Sequence, residues 1–193
     1  MVENGLQLQE RVEYVLDTFK CPALIEEFIA GREVLVTIMG NQAPVPLPAL
    51  EVVFWDQIEP GKQIYSYDMK FSPDVWSSHR VRFICPSMMT VEARQRLQTV
   101  CLQAYRAVHG RDYARLDVRL RGDQPYVVDV NPNPDINSES AVMMSAQSTG
   151  LTYTDLVVRL AELAAERCKP TAHPGTLRPQ PQAASRLPRM SVP

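Results

Sequence analysis

Residues 113–135 read YARLDVRLRGDQPYVVDVNPNPD, and this stretch decides the fold. From Tyr113 to Arg121 the residue types alternate. Ala114, Leu116, Val118 and Leu120 share one face of a strand; Arg115, Asp117 and Arg119 share the other. Gly122-Asp123 supplies a tight turn, so a second strand over residues 125–131 returns antiparallel to the first. Strict alternation there sets Val128 and Val130 against Val127, Asp129 and Asn131.

With the turn so centred, Asp117 lies almost directly across from Asp129. Directly opposed positions bring β-carbons to about 4.5–5.5 Å, where like charges destabilise the pair. A hard divalent cation removes that repulsion, and Mg²⁺ prefers oxygen ligands. Asn131, two residues on, adds a neutral oxygen on the same face. The plain alternative is a solvated face on which Arg115 or Arg119 neutralises the aspartates. The third oxygen donor in register, with NPNPD following, favours a magnesium–nucleotide site whose remaining ligands are water and phosphate.

Outward from the hairpin, apolar residues Leu8, Val12, Val15, Leu16 and Phe19 recur at helical spacing, and Cys21-Pro22 ends that helix. Strands are expected over residues 23–29, 34–39, 50–54 and 63–70, separated by Gly31, Gly40-Asn41 and a group of prolines. Residues 72–82 are polar and read as a mobile loop. Residues 91–108 carry a second helical stripe closed by Gly110, and a last helix runs over 152–167 behind a capping-box-like Thr152…Asp155. From Lys169 the chain turns proline-rich, with four basic residues and no acid, and is expected to be disordered. The domain is therefore taken as residues 1–168 and the tail as 169–193.

Composition narrows the function. Of 193 residues 45% are apolar, which suits one globular core, and a net charge of −2 gives no reason to expect nucleic acid or an anionic membrane as partner. No apolar run reaches the roughly 18 residues of a membrane span. The four cysteines are widely spaced and show no metal-ligand pattern, so buried free thiols and a cytoplasmic location are expected. The histidines form no constellation, and no P-loop is present.

Together these motifs resemble the ATP-grasp superfamily, and their order resembles D-alanine–D-alanine ligases. Asp117, Asp129 and Asn131 look like the family's magnesium triad. LIEEFIAGREV (residues 24–34) is similar to its adenine and ribose segment; that implies Glu26 and the backbone of Glu27 and Ile29 at the adenine edge, and Glu33 on the ribose hydroxyls. YSYDMKF (residues 65–71) looks like its tyrosine–lysine loop, implying Lys70 on the phosphates and Tyr67 helping to close the site. ARLD implies Arg115 as the residue that stabilises the oxyanion and the transferring phosphoryl group. NPNPDINSES implies Ser140 on the carboxylate of the second amino acid, with Asp135 beside it.

The resemblance covers residues 12–167. It implies an α+β fold, the C-terminal ATP-grasp domain, with a mainly antiparallel sheet flanked by helices. It also implies ATP and Mg²⁺ (or Mn²⁺), and a carboxylate–amine ligase working through an acylphosphate on small molecules, an amino acid or other carboxylate plus an amine. The family's N-terminal domain and glycine-rich loop have no counterpart in this sequence. A homodimer or a partner chain supplying them, around an otherwise non-catalytic fragment, is the second expectation. Two positions depart from the family: Asp129 stands where glutamate is usual and Asp135 where glycine is, so the substrate pair stays open.

Overall fold

Strand β1 (Arg32–Met39) lies at the centre of an antiparallel sheet, with β5 (Tyr113–Arg121) on one side and β3 (Leu50–Phe54) on the other. Strand β4 (Val81–Ile84) extends the β3 side, β6 (Gln124–Asn131) extends the β5 side, and the two-residue β2 (Val45–Pro46) pairs with the end of β1. Four described helices accompany the sheet: α1 (Gly5–Phe19), α2 (Val91–Ala107), α3 (Ala141–Gln147) and α4 (Tyr153–Cys168). The computed structural model describes residues 1–55, 63–65 and 81–168. The expected α+β architecture is the one observed.

Residues 33–39 are all buried, as a central strand covered on both faces requires. On one face Val34, Val36 and Ile38 join Ala114, Leu116 and Val118 against Leu97, Cys101 and Tyr105 of α2. The buried residues of α2 repeat every fourth position, which gives a single apolar stripe. Thr90 caps that helix, its hydroxyl accepting from the Ala93 N–H at 3.1 Å. On the opposite face Met39 packs with Val142, Met143 and Ala146 of α3 and Leu156 and Leu163 of α4. Leu35, Leu50 and Val52 form a third cluster with Phe83, Ala141 and Met144. Between these two clusters the face is polar, and it holds the candidate site.

Two glycines are demanded by close approach. Gly31 has φ 139°, and a Cβ there would sit 1.9 Å from the Leu120 carbonyl oxygen, so only glycine lets the chain enter β1 beside β5. Gly110 was expected to close α2 through its backbone freedom, but the left-handed residue is His109 (φ 54°). Gly110 is instead required by the Tyr105 ring, whose edge would lie 2.3 Å from an added Cβ. The Tyr105 hydroxyl donates to the Gly40 carbonyl at 2.9 Å, and burial raises its pKa to about 12.

Other expectations are corrected by packing. Residues 23–29 form no strand: Leu24 and Ile25 are exposed and no described strand pairs with them. Residues 63–65 are not in a strand, and the rest of that expected element, like most of 72–82 and the whole 169–193 tail, lies outside the described residues. Strands β2 and β4 and helix α3 were not expected. The Thr152–Asp155 cap is reciprocal, with the Thr152 N–H donating to Asp155 at 2.9 Å and the Asp155 N–H donating to the Thr152 hydroxyl at 3.2 Å. Cys21, Cys85 and Cys101 are free; Cys101 is buried as expected, but Cys21 is exposed. Among the described residues no helix is long and apolar enough to cross a membrane.

Candidate functional site

Three rows of residues cross the polar face of the sheet from β1 through β5 to β6. The first is Glu33, Arg119, Tyr126; the second is Leu35, Asp117, Asp129; the third is Thr37, Arg115, Asn131. Asp117 therefore pairs with Asp129, as the hairpin sequence implied, and Arg115 pairs with Asn131. The register reaches this by a route the alternation does not contain. Between Asp117 and Val118 the ladder slips, leaving Val128 as an extra residue. Because of that bulge Val127 faces the core beside Val118, whereas uninterrupted alternation put it beside Asp129.

Arg115 closes on Asp117 with two hydrogen bonds, Nε to Oδ1 at 2.7 Å and Nη2 to Oδ2 at 3.2 Å. Asp117 is buried and Asp129 is exposed. The Asn131 side-chain oxygen accepts from the Asn133 N–H at 3.0 Å. The donor set remains hard oxygen, two carboxylates and one amide, and carboxylates held opposite each other gain from a divalent ion. In residue type the set suits Mg²⁺, but both Asp117 oxygens are engaged by Arg115 and the Asn131 oxygen by the Asn133 amide.

The third row opens into a cavity of about 500 Å³ lined by Arg115, Asn131, Asp135, Ser140, Tyr65 and Phe83 among others. Ser140 is the N-cap of α3, its hydroxyl accepting from the Met143 N–H at 3.1 Å. Asp135 and Asn137 fold the preceding loop on itself, Asp135 accepting from the Asn137 N–H at 2.9 Å and Asn137 from the Glu139 N–H at 2.8 Å. The sheet thus presents Arg115 and Asn131, and this loop presents Asp135 and Ser140, to one space. Burial pushes the Tyr65 phenol above its ordinary range.

The first row is filled by an ion pair that the sequence did not suggest. Arg119 donates from Nη1 to Glu33 at 2.8 Å and to the Gln63 carbonyl at 2.9 Å, and from Nε to the Ile29 carbonyl at 2.9 Å. Its guanidinium carbon lies 5.1 Å from the centre of the Phe28 ring. Glu33 also accepts from the Tyr65 N–H at 3.1 Å. Burial pushes the Glu33 carboxyl upward, while the Tyr65 amide and Arg119 pull it back. Glu27 pairs with Arg121 at 2.5 Å at the surface, and Glu26 is exposed. Tyr67 and Lys70 lie outside the described residues.

Known proteins resemble this chain over most of its length. The family model described as D-ala D-ala ligase C-terminus matches residues 1–162. A D-alanine–D-alanine ligase of Desulforudis audaxviator is 31% identical over 167 residues, 86% of this chain and 51% of that ligase. One from Haemophilus influenzae is 34% identical over 158 residues, 81% of this chain and 48% of the other. The crystal structure of the Bacillus anthracis D-alanine–D-alanine ligase complexed with ATP superposes with a TM-score of 0.68 at 20% identity, over 86% of this chain and 48% of that one. The chain spans about half the length of the curated relatives it matches.

Proposed function

The chain belongs to the D-ala D-ala ligase C-terminus family, and from that premise we propose that it is the nucleotide- and metal-holding half of an ATP-dependent carboxylate–amine ligase. The observation that carries the reading is the direct pairing of Asp117 with Asp129, one row from Arg115 and Asn131 at the mouth of the cavity. Asp117, Asp129 and Asn131 would hold Mg²⁺ or Mn²⁺, which when bound supplies charge neutralisation at the phosphates.

In the proposed reaction a carboxylate attacks the terminal phosphorus of ATP to give an acylphosphate and ADP. An amine then adds to the acyl carbon, and phosphate leaves as the amide forms. Arg115 donates to the oxygens on which negative charge grows, first on the transferring phosphoryl group and then on the tetrahedral carbon. Lys70 and Tyr67 act on the phosphate side. Glu26 and the backbone of Glu27 and Ile29 take the adenine edge, and Glu33 the ribose. Ser140 holds the carboxylate of the amine substrate, with Asp135 shaping that end of the cavity. Phosphoryl transfer relies mainly on position and charge, in keeping with the arginine and carboxylates that the described residues bring to the site. We assign this chemistry to the cytoplasm, which the free thiols support.

Calorimetry of the full chain with Mg-ATP tests the site. Binding that vanishes in Asp117→Asn/Asp129→Asn supports it; heats unchanged in that variant overturn the metal assignment. The second reading is that this chain holds nucleotide but turns it over only with another polypeptide. Phosphate release by the purified chain with an amino-acid pair, at a rate above buffer, removes that reading.

A further inference from the structure

Arg119 carries more donors than it has partners. The residue is 5% exposed, and its Nε and Nη1 are engaged by Ile29, Gln63 and Glu33. Its remaining amino group, Nη2, is buried and has no acceptor among the described residues. Buried donors are nearly always paired, and an unpaired one on a charged group is the most unfavourable kind. The clamp that Arg119 forms between Phe28, Ile29, Gln63 and Glu33 needs only Nε and Nη1, so packing alone gives Nη2 no task.

The neighbouring carboxylate narrows what could pair with it. Both bonds to Glu33 fall on one oxygen, Oε2, which accepts from Arg119 and from the Tyr65 N–H. The group that suits a guanidinium donor beside a carboxylate acceptor is a hydroxyl, which gives one proton and accepts another. Arg119 and Glu33 face each other in register, one row along the same sheet face from Asp117. Two residues of strand span about 6.7 Å, so the pair stands about that far from Asp117, within the reach of one nucleotide.

We propose that Arg119 is a second ribose-contacting residue, its Nη2 donating to the hydroxyl oxygen whose proton goes to Glu33. This rests on the reading that residues 24–33 receive the nucleoside. It makes the pair a discriminator between ribose and deoxyribose, and it makes Arg119 a determinant of specificity as well as a clamp.

The test is calorimetry of the full chain with Mg-ATP, Mg-2′-deoxyATP and Mg-3′-deoxyATP, for the wild type and Arg119→Lys. Lysine keeps the charge beside Glu33 and removes the second amino group. The expected result is that one deoxynucleotide binds about 10-fold more weakly than ATP to the wild type. In Arg119→Lys that penalty shrinks by several-fold, because ATP loses the Arg119 bond while the Glu33 bond remains. Equal binding of all three nucleotides by the wild type overturns the proposal whether or not any variant folds. So does an undiminished deoxy penalty in Arg119→Lys with a wild-type melting temperature. Those outcomes leave Mg-dependent ATP binding intact; no Mg-dependent binding of any of the three removes the nucleotide reading, and this inference with it.

Discussion

Asp117 and Asp129 stand directly opposite each other on adjacent strands, the first buried and clasped by Arg115, the second open to solvent. Opposed like charges weaken a ladder by roughly 0.2–1 kcal/mol. Asp129→Asn is therefore expected to raise stability slightly in metal-free buffer and to remove the stabilisation that Mg²⁺ confers on the wild type. Thermal melts with chelator and with Mg²⁺ measure both effects. An equal Mg²⁺-induced shift in the two proteins would show that the ion binds elsewhere.

Ser140 has a structural task that is separable from any ligand. Its hydroxyl caps α3, so Ser140→Ala should lower stability by about 1 kcal/mol and Ser140→Gly by only a few tenths. Urea unfolding of the two variants gives the comparison. Equal losses would mean that the cap contributes nothing.

The Tyr105 hydroxyl is buried against the Gly40 carbonyl, and its ring lies against Gly110. Tyr105→Phe removes one buried bond and should destabilise by about 1–2 kcal/mol. Gly110→Ala forces a methyl group into the ring and should destabilise by about 1–3 kcal/mol. Denaturant midpoints decide, and a neutral Gly110→Ala would contradict the contact.

Glu51 gives the acid limb of the stability curve. Burial pushes its carboxyl up, but hydrogen bonds from Arg32 and Ser87 outweigh this and hold it below the ordinary glutamate value of about 4.3. A depressed folded pKa means that the unfolded chain binds the proton first. The contribution is complete above the ordinary value and fades as pH falls through the depressed one. Glu51→Gln should lower stability at neutral pH and flatten the slope below about pH 4.3, measured by urea titration at a series of pH values.

The β5–β6 hairpin was legible because its signals are local: a two-residue turn and alternating types fix which residues meet. The Thr152–Asp155 cap was legible for the same reason. Val128 was not, since counting by twos assumes an unbroken pleat. The Glu33–Arg119 pair joins residues 86 apart in sequence, and nothing local to either announces the other. Helix α3 is seven residues long and rests on burying Val142, Met143 and Ala146 rather than on periodicity of its own. Residues 23–29 were misread because Leu24 and Ile25 look like strand core and are 82% and 61% exposed.

The slip at Val128 also divides β6 into two independently phased pieces. Before it Val127 faces the α2 core and Tyr126 the polar face; after it Val130 faces the α2 core and Asp129 and Asn131 the polar face. Sequence drift in the hairpin tip can alter packing there without rotating the carboxylate away, so long as the one-residue slip absorbs the change. The oxygen donors are in that sense insulated from their own strand.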